Sequence, residues 1–332
     1  MKLGILTRDE PVYSLLIYRE KLKYEFSALG IETVDLADDD PNLDNIDLVW
    51  EPGLFSVRFP HPKFQHCSLP VVGTIHGLAG LSLSIREYFP DPFEAEIGQA
   101  FQQEVTADWE WFSRKVAKVI AVSKYGAEEI ISQYKVPRNK VTFVYHGVAH
   151  DIFKEDGPKI AGEKPYLLQI AQFAPKKNVD RVLEAYIQLP EETRPELVVI
   201  LPNYEGADPE IPGVRIIREG MTQEELAPWY RGAMGFIFPS IHETFGMPVL
   251  EAMACGCPVI TSNTTALPEL TGEAALLVNP RSVEEIFDAL SQLVNDPTLR
   301  RKMRKVGLGQ SRLFTWEKSA REHLKVFESV LT

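Results

Sequence analysis

Pro239-Ser-Ile-His-Glu-Thr-Phe-Gly-Met-Pro-Val-Leu-Glu-Ala-Met-Ala-Cys-Gly-Cys-Pro258 decides how this chain is read. The residues just before it, Gly235-Phe-Ile-Phe238, are a short apolar run that predicts a buried strand ending at Pro239-Ser240. Gly246 supplies a turn, and Pro248 is well placed to open a helix. A strand, a short loop and a helix N-terminus make a natural anion site. The amides of Phe245, Gly246 and Met247 have no intrahelical partner there and can point at a phosphate or a polar sugar. Two carboxylates frame the loop, Glu243 before it and Glu251 within Val249-Leu-Glu-Ala-Met-Ala254. An unpaired charge in that apolar run is costly, and a ligand with hydroxyls to donate would offset it.

Seven residues separate Glu243 from Glu251, and this spacing resembles the E-x7-E signature of the retaining family-four glycosyltransferases of the GT-B fold. The likeness continues in register through Pro258-Val-Ile260, Ser262-Asn263, Leu267-Pro-Glu269 and Glu273-Ala-Ala-Leu-Leu-Val-Asn-Pro280. It implies an α/β protein of two Rossmann-like domains, their parallel sheets facing across a cleft that holds the active site.

Composition agrees with an intracellular enzyme. At 332 residues the length predicts two domains. With 45% hydrophobic and 25% charged residues, the balance is that of an ordinary globular core. Lys+Arg 35 against Asp+Glu 47 gives a net charge of -12, which argues against nucleic acid as a partner, since backbone phosphates need a basic face. A nucleotide is still compatible, because backbone amides and one or two cations can hold it. The three cysteines, Cys67, Cys255 and Cys257, make no disulfide framework and fit a reducing compartment. Cys255-Gly-Cys257 has no second half of a metal motif and reads as small residues packed at a helix end. No stretch approaches the ~20 apolar residues of a membrane span, and Met1-Lys-Leu-Gly-Ile-Leu-Thr-Arg8 reads as a first strand rather than a signal peptide. The expectation is a cytoplasmic protein, peripheral at most to the inner membrane face.

Short apolar strands alternate with helical patterns along the chain, the mark of parallel α/β sheets. Strands are predicted at Leu3–Leu6, Ile31–Leu36, Leu48–Trp50, Val71–Ile75, Val119–Val122 and Val141–Tyr145, with an amphipathic helix from Leu15 to Leu29 ended by Gly30. The stretch 151–165, rich in charge, Gly and Pro, predicts an interdomain linker. Strands resume at Tyr166–Ile170, Leu197–Ile200, Val214–Ile217, Gly235–Phe238, Val259–Thr261 and Ala275–Val278. The expected domains are therefore 1–155 and 160–315, to which the resemblance gives the acceptor side and the nucleotide sugar respectively. By resemblance, helix 316–332 crosses back onto the first.

Further positions carry over from the family one at a time. Ala171-Gln-Phe-Ala-Pro-Lys-Lys-Asn178 resembles the segment whose Arg and Lys neutralise the donor diphosphate. Lys177 takes the Lys position, where a cation offsets charge growing on the departing group. Gln172 replaces the Arg, as in a subgroup ending in Lys-Asn, and can donate a hydrogen bond but carries no charge. His76 ends the strand Val71-Val-Gly-Thr-Ile75, where ligands gather in such sheets, and the resemblance gives it the donor sugar. Val122-Ser123 and His146-Gly147-Val148 also match, with Ala149 where an Asp is usual. The first βα turn departs most: Thr7-Arg8-Asp9-Glu10-Pro11 lacks the usual Gly pair, leaving Arg8 as a phosphate contact or a surface residue.

Other patterns read as structural. Asp38-Asp39-Asp40 contains the D-x-D of metal-dependent GT-A transferases but lies in a polar turn. Gly307-Leu-Gly309 has no preceding strand. Arg300-Arg-Lys-Met-Arg-Lys305 reads as a solvated helix face, with anionic lipid as the other reading. Glu94 and Glu96 lack the partner of a hydrolase pair.

The resemblance implies a retaining, metal-independent, front-face transfer of a hexose from a nucleotide diphosphate to a hydroxyl acceptor in glycan or glycolipid assembly. Glu243, His76 and Lys177 would serve the reacting centre. Gln172, Phe245, Gly246, Met247, Glu251 and Arg8 would hold the donor, and no metal or other cofactor is expected. Mannose, rhamnose and glucose are candidate sugars, by a loose likeness to bacterial polysaccharide enzymes. A degenerate protein that binds a nucleotide sugar without turnover, and another GT-B enzyme such as an epimerase or phosphorylase, are the alternatives.

Overall fold

The computed structural model describes residues 1–8, 13–39, 41–54, 60–77, 82–88, 109–162, 164–172, 174–202 and 204–331. Asp9-Glu10-Pro11, Asp40, Glu94, Glu96 and Phe173 lie outside them. The chain divides into two compact units, residues 1–147 with 314–332, and residues 148–313. The 151–165 stretch belongs to the second unit, where Arg304 pairs with Glu155 and Arg231 donates to the Pro158 carbonyl.

The first unit carries a six-stranded parallel sheet in the order β2-β1-β3-β4-β5-β6. Its strands are β1 (Lys2–Thr7), β2 (Glu32–Ala37), β3 (Leu48–Leu54), β4 (Val71–Ile75), β5 (Lys118–Ala121) and β6 (Val141–Phe143). The order reverses between β1 and β3, the switch point of a doubly wound sheet. Helix α1 (Tyr13–Ala28) buries Leu15, Tyr18, Leu22 and Phe26, one stripe at helical spacing. Helix α2 (Lys124–Gln133) starts where Ser123 accepts from the Gly126 amide. One face of the sheet is closed by Trp109, Phe112 and Val116. On α1 lies the C-terminal helix α9 (Trp316–Glu328), whose buried Trp316, Ala320, His323 and Phe327 also follow helical spacing.

Four elements of this unit meet in a polar thread through an aromatic cluster. Trp50 Nε1 donates to Thr74 Oγ1 at 2.9 Å, and the Thr74 and Tyr18 hydroxyls are 3.3 Å apart. The Tyr18 hydroxyl lies 2.7 Å from His323 Nε2, and His323 Nδ1 lies 2.8 Å from the Ser319 carbonyl. A carbonyl only accepts, so Nδ1 holds the proton and Nε2 accepts from Tyr18. Trp50, Phe26 and Phe327 surround the thread at ring separations of 5.7–5.8 Å. Gly147 presses on the entry to α9, and a Cβ there would collide with the Thr315 and Trp316 backbone.

The second unit has its own six-stranded parallel sheet, β12-β11-β10-β7-β8-β9. Its strands are β7 (Tyr166–Ile170), β8 (Glu196–Ile200), β9 (Val214–Ile217), β10 (Gly235–Phe238), β11 (Val259–Ser262) and β12 (Ala275–Val278). The order reverses between β7 and β10. Six helices accompany it: α3 (Val179–Tyr186), α4 (Gln223–Gly232), α5 (Met247–Ala254), α6 (Leu267–Thr271), α7 (Val283–Asn295) and α8 (Pro297–Ser311). Val182, Leu197, Val199, Ile237, Ile260, Leu290 and Leu293 fill one face of this sheet. Gly307 falls inside α8, where a Cβ would press on Met253 of α5, so the Gly307-Leu-Gly309 pattern serves packing. Of the basic run, Arg300 bonds to the Leu293 and Val294 carbonyls ending α7, and Arg301, Lys302 and Lys305 face solvent. Cys255 and Cys257 are buried at the end of α5, and burial pushes the Cys255 thiol up to about 12.

Candidate active site

Ligands of open α/β sheets bind beyond the carboxyl ends of the strands, where the strand order reverses. In the second unit that point lies between β7 and β10, and the loops leaving these two strands carry Lys177 and Glu243. Lys177 Nζ sits 2.5 Å from Glu243 Oε1, with both side chains about 85% buried (15% and 14% exposed). The ammonium also lies 5.0 Å from the centre of the Phe238 ring, a cation–π distance. Burial pushes the Glu243 carboxyl up, but the ammonium groups of Lys177 and Lys176 outweigh it and hold the group below its ordinary value. Lys176 is itself lowered, by burial first and by Lys177 second, with Glu243 acting against both. Two cations against one carboxylate leave a net positive charge here.

The loops are held by their own backbone. Pro175–Lys177 forms a turn of 3-10 helix, and the Lys176 carbonyl accepts from the Ile241 amide at 2.7 Å. The Ser240 carbonyl accepts from the Ser262 hydroxyl at 2.5 Å, and the Glu243 amide donates to Thr265 Oγ1 at 3.3 Å. Gly246 then takes φ 123 and ψ 52, a conformation closed to residues with a side chain, and opens α5. A Cβ there would meet Leu267 Cδ2 at 2.7 Å. Gly246 gives this helix no side-chain cap, Pro248 has no N–H and the Val249 amide donates to the Gly246 carbonyl at 3.0 Å. The helix therefore presents its dipole and the amides preceding Pro248 to whatever lies before it. Phe245 is buried, while Met247 is half-buried.

Glu251 is one turn into α5 and 6% exposed. Sequence alone asks for a ligand to offset its charge, but the protein supplies partners. Gln223 Nε2 and the Tyr230 hydroxyl of α4 each donate to the carboxylate at 3.3 Å. Burial nevertheless dominates these two bonds, and the group is pushed up to about 7. Gln172 is exposed at the end of β7 and adds no charge.

Two expected donor contacts lie in the first unit. Arg8, read as a phosphate contact or a surface residue, is held in two ion pairs: Nε lies 2.7 Å from Asp38 and Nη2 lies 3.0 Å from Glu51, which is 1% exposed. The Asp38 of the acidic turn is thereby part of an ion pair. His76 does end β4, half-buried, but its Nε2 donates to the Pro52 carbonyl at 2.6 Å. Its ring packs on Tyr18 at 4.6 Å and stacks on His146 at 5.3 Å. Burial lowers it to about 4, so it is neutral at pH 7. Sequence reasoning missed Glu51, Gln223 and Tyr230. Only the placing of Glu51 before Pro52-Gly53 at the end of an apolar strand hinted at a role.

Comparison with known proteins shows the family of the chain and its fold. A model described as "Glycosyltransferase Family 4" matches residues 39–152, and one described as "Glycosyl transferases group 1" matches residues 164–296. The chain belongs to glycosyltransferase family 4. Among curated relatives of this family-four chain, the O-antigen chain mannosyltransferase B of Escherichia coli is 30% identical over 232 residues, 63% of this chain and 60% of that protein. The serotype-specific mannosyltransferase WbdA of Escherichia coli is 29% identical over 244 residues, 65% of this chain and 30% of that one. The matches thus span between under a third and three fifths of these relatives' length. Sucrose-phosphate synthase of Thermosynechococcus elongatus superposes with a TM-score of 0.73 at 17% identity, covering 99% of this chain and 98% of that one. Anabaena HepE, solved with UDP-glucose, gives 0.73 at 14% identity, covering 99% and 100%. At these identities the likeness is one of fold, and the fold is GT-B.

Proposed function

We propose that this chain is a retaining hexosyltransferase that moves a sugar from a nucleotide diphosphate to a hydroxyl acceptor without a metal ion. The observation that carries the reading is the buried Lys177–Glu243 pair at the β7/β10 switch point, beside the uncapped start of α5. Lys177 and the α5 amides receive the diphosphate and stabilise the negative charge it gains as the C1–O bond breaks. Glu243 binds sugar hydroxyls, and Glu251, with Tyr230 and Gln223 behind it, accepts from the ribose. The acceptor oxygen bonds to C1 on the face the diphosphate leaves, and its proton passes to a phosphate oxygen. His76, neutral at pH 7, is assigned to sugar binding rather than proton transfer. The names of the curated relatives make mannose the first sugar to try, in the assembly of a bacterial surface glycan.

The test is incubation with GDP-mannose, UDP-glucose and dTDP-rhamnose against a panel of oligosaccharide and lipid-linked acceptors, with and without EDTA. The anomer of the product is read by NMR. Retention of configuration, insensitivity to EDTA and loss of transfer in Lys177→Ala and Glu243→Ala are expected. Unchanged transfer in both variants would sink the assignment, and an inverted product would sink the mechanism.

A further inference from the structure

We propose that Asn178 is the positioning residue of this site: its side chain sets the Lys177 loop against the Glu243 loop and so makes their ion pair. The inference rests on the reading above only for its catalytic consequence.

Asn178 follows Lys177 directly and holds φ 64 and ψ 32, the left-handed region that asparagine tolerates better than most side chains. It is 3% exposed, and every polar group it owns is engaged. Its amide donates to the Pro175 carbonyl, and its carbonyl accepts from the Val182 amide. Side-chain Nδ2 donates both its hydrogens, to Pro239 O at 2.9 Å and Pro280 O at 2.6 Å. Oδ1 accepts from Arg181 Nη1 at 2.9 Å. Two carbonyls on one side and a guanidinium on the other admit only this orientation of the amide.

An asparagine at the start of a helix ordinarily turns its oxygen back on the helix amides. Asn178 stands at the start of α3 and makes no such cap. Its amide reaches outward instead, joining the loop after β7 to those after β10 and β12. Pro239 opens the loop that carries Glu243, so the bond from Asn178 fixes one end of it. The Ile241 amide on the Lys176 carbonyl fixes its middle. From below, the buried Gln169 of β7 donates to the Lys177 carbonyl at 3.3 Å. Lys177 and Glu243 meet only while their two loops lie side by side, and this network of bonds holds the loops together.

Two substitutions separate the clamp from the backbone. Asn178→Gly keeps the left-handed conformation and removes the side chain. Asn178→Asp keeps shape and conformation but sets a carboxylate against two carbonyls. The readout is the ¹³C titration of the Glu243 side-chain carboxyl in the full chain without substrate, assigned by its disappearance in Glu243→Gln. Lys177→Ala calibrates the full loss of the pair. Both Asn178 variants are expected to raise the Glu243 midpoint by about half a pH unit or more, a threefold change in its ionisation constant, while circular dichroism shows a folded protein. A fold that is merely loosened lowers the folded fraction without moving this midpoint. Should either folded variant titrate with the parent while Lys177→Ala moves, the clamp is overturned. In the transfer assay, the variants should lose kcat about tenfold with donor KM within about twofold. Shifted titrations in the Asn178 variants, with a parent protein that transfers no sugar, would leave the clamp standing and remove the function.

Discussion

Glu243 and Glu251 belong to one loop and helix, yet their surroundings drive them apart. Ammonium groups hold Glu243 ionised, whereas Glu251, given only neutral donors, is pushed up to about 7. Since an ionised carboxylate is the better acceptor for ribose hydroxyls, nucleotide affinity should rise with pH through about 7. Isothermal titration at several pH values would show that rise flattened in Glu251→Gln. Stability moves the other way. A carboxyl whose folded value is raised contributes stability that is full below its unfolded value of 4.5 and lost as pH climbs through about 7, on the order of 3 kcal/mol here. At neutral pH and above, Glu251→Gln should therefore unfold at a higher temperature than the parent while binding nucleotide less well. The sequence made both glutamates and Lys177 legible, because their neighbours form long, specific patterns. Their pairing was not legible, since Lys177 and Glu243 stand 66 residues apart and meet only through the strand order.

Among elements, strands were the most readable, because short apolar runs between turn residues admit little else. Val71–Ile75, Tyr166–Ile170, Val214–Ile217, Gly235–Phe238 and Ala275–Val278 appear with the bounds read from sequence. β3 is the instructive exception. The sequence reading ends it at Trp50, but the strand runs on to Leu54 with an irregular register, the charge of Glu51 met by Arg8 and by the His61 amide. Docking of α9 on α1 depends on the Tyr18–His323 bond. Tyr18→Phe should lower stability by about 1–3 kcal/mol in a denaturant titration, the cost of leaving buried partners unsatisfied. Gly147→Ala should do more harm, since the side chain would enter backbone rather than a yielding side chain. Limited proteolysis would find α9 released from otherwise folded protein. At the start of α5, Gly246→Ala is expected to cost about 1–3 kcal/mol in strain and to weaken nucleotide binding further by turning the first amides aside.

At the scale of the molecule the two units should answer acid differently. His323 is fully buried, and burial lowers it to about 4. A histidine lowered in this way contributes stability that is complete above its unfolded value near 6.5. That contribution is lost as pH falls toward 4, again on the order of 3 kcal/mol. His76 and His146 are lowered by burial in the same cluster and add in the same direction. In the second unit, acid instead relieves Glu251. Hydrogen exchange at pH 4.5, corrected for intrinsic rates, should therefore open α1 and α9 well before α5. Uniform opening of both units would contradict this. Parallel α/β sheets were legible from alternation, and their twin Rossmann-like arrangement from the family resemblance. The differing strand orders of the two sheets were not, because order depends on which side of the first strand each crossover takes.

The placing of α9 also bears on how the protein is made. The first unit holds residues 1–147 but lacks the helix that seals its aromatic cluster until Trp316–Glu328 has left the ribosome. Residues 148–313 are contiguous and, among the described residues, carry the six strands and six α-helices of their unit within themselves. During synthesis the usual precedence is thus reversed: the later-born unit can settle first, while the earlier one waits, its apolar α1 face in need of cover until residues 316–328 emerge.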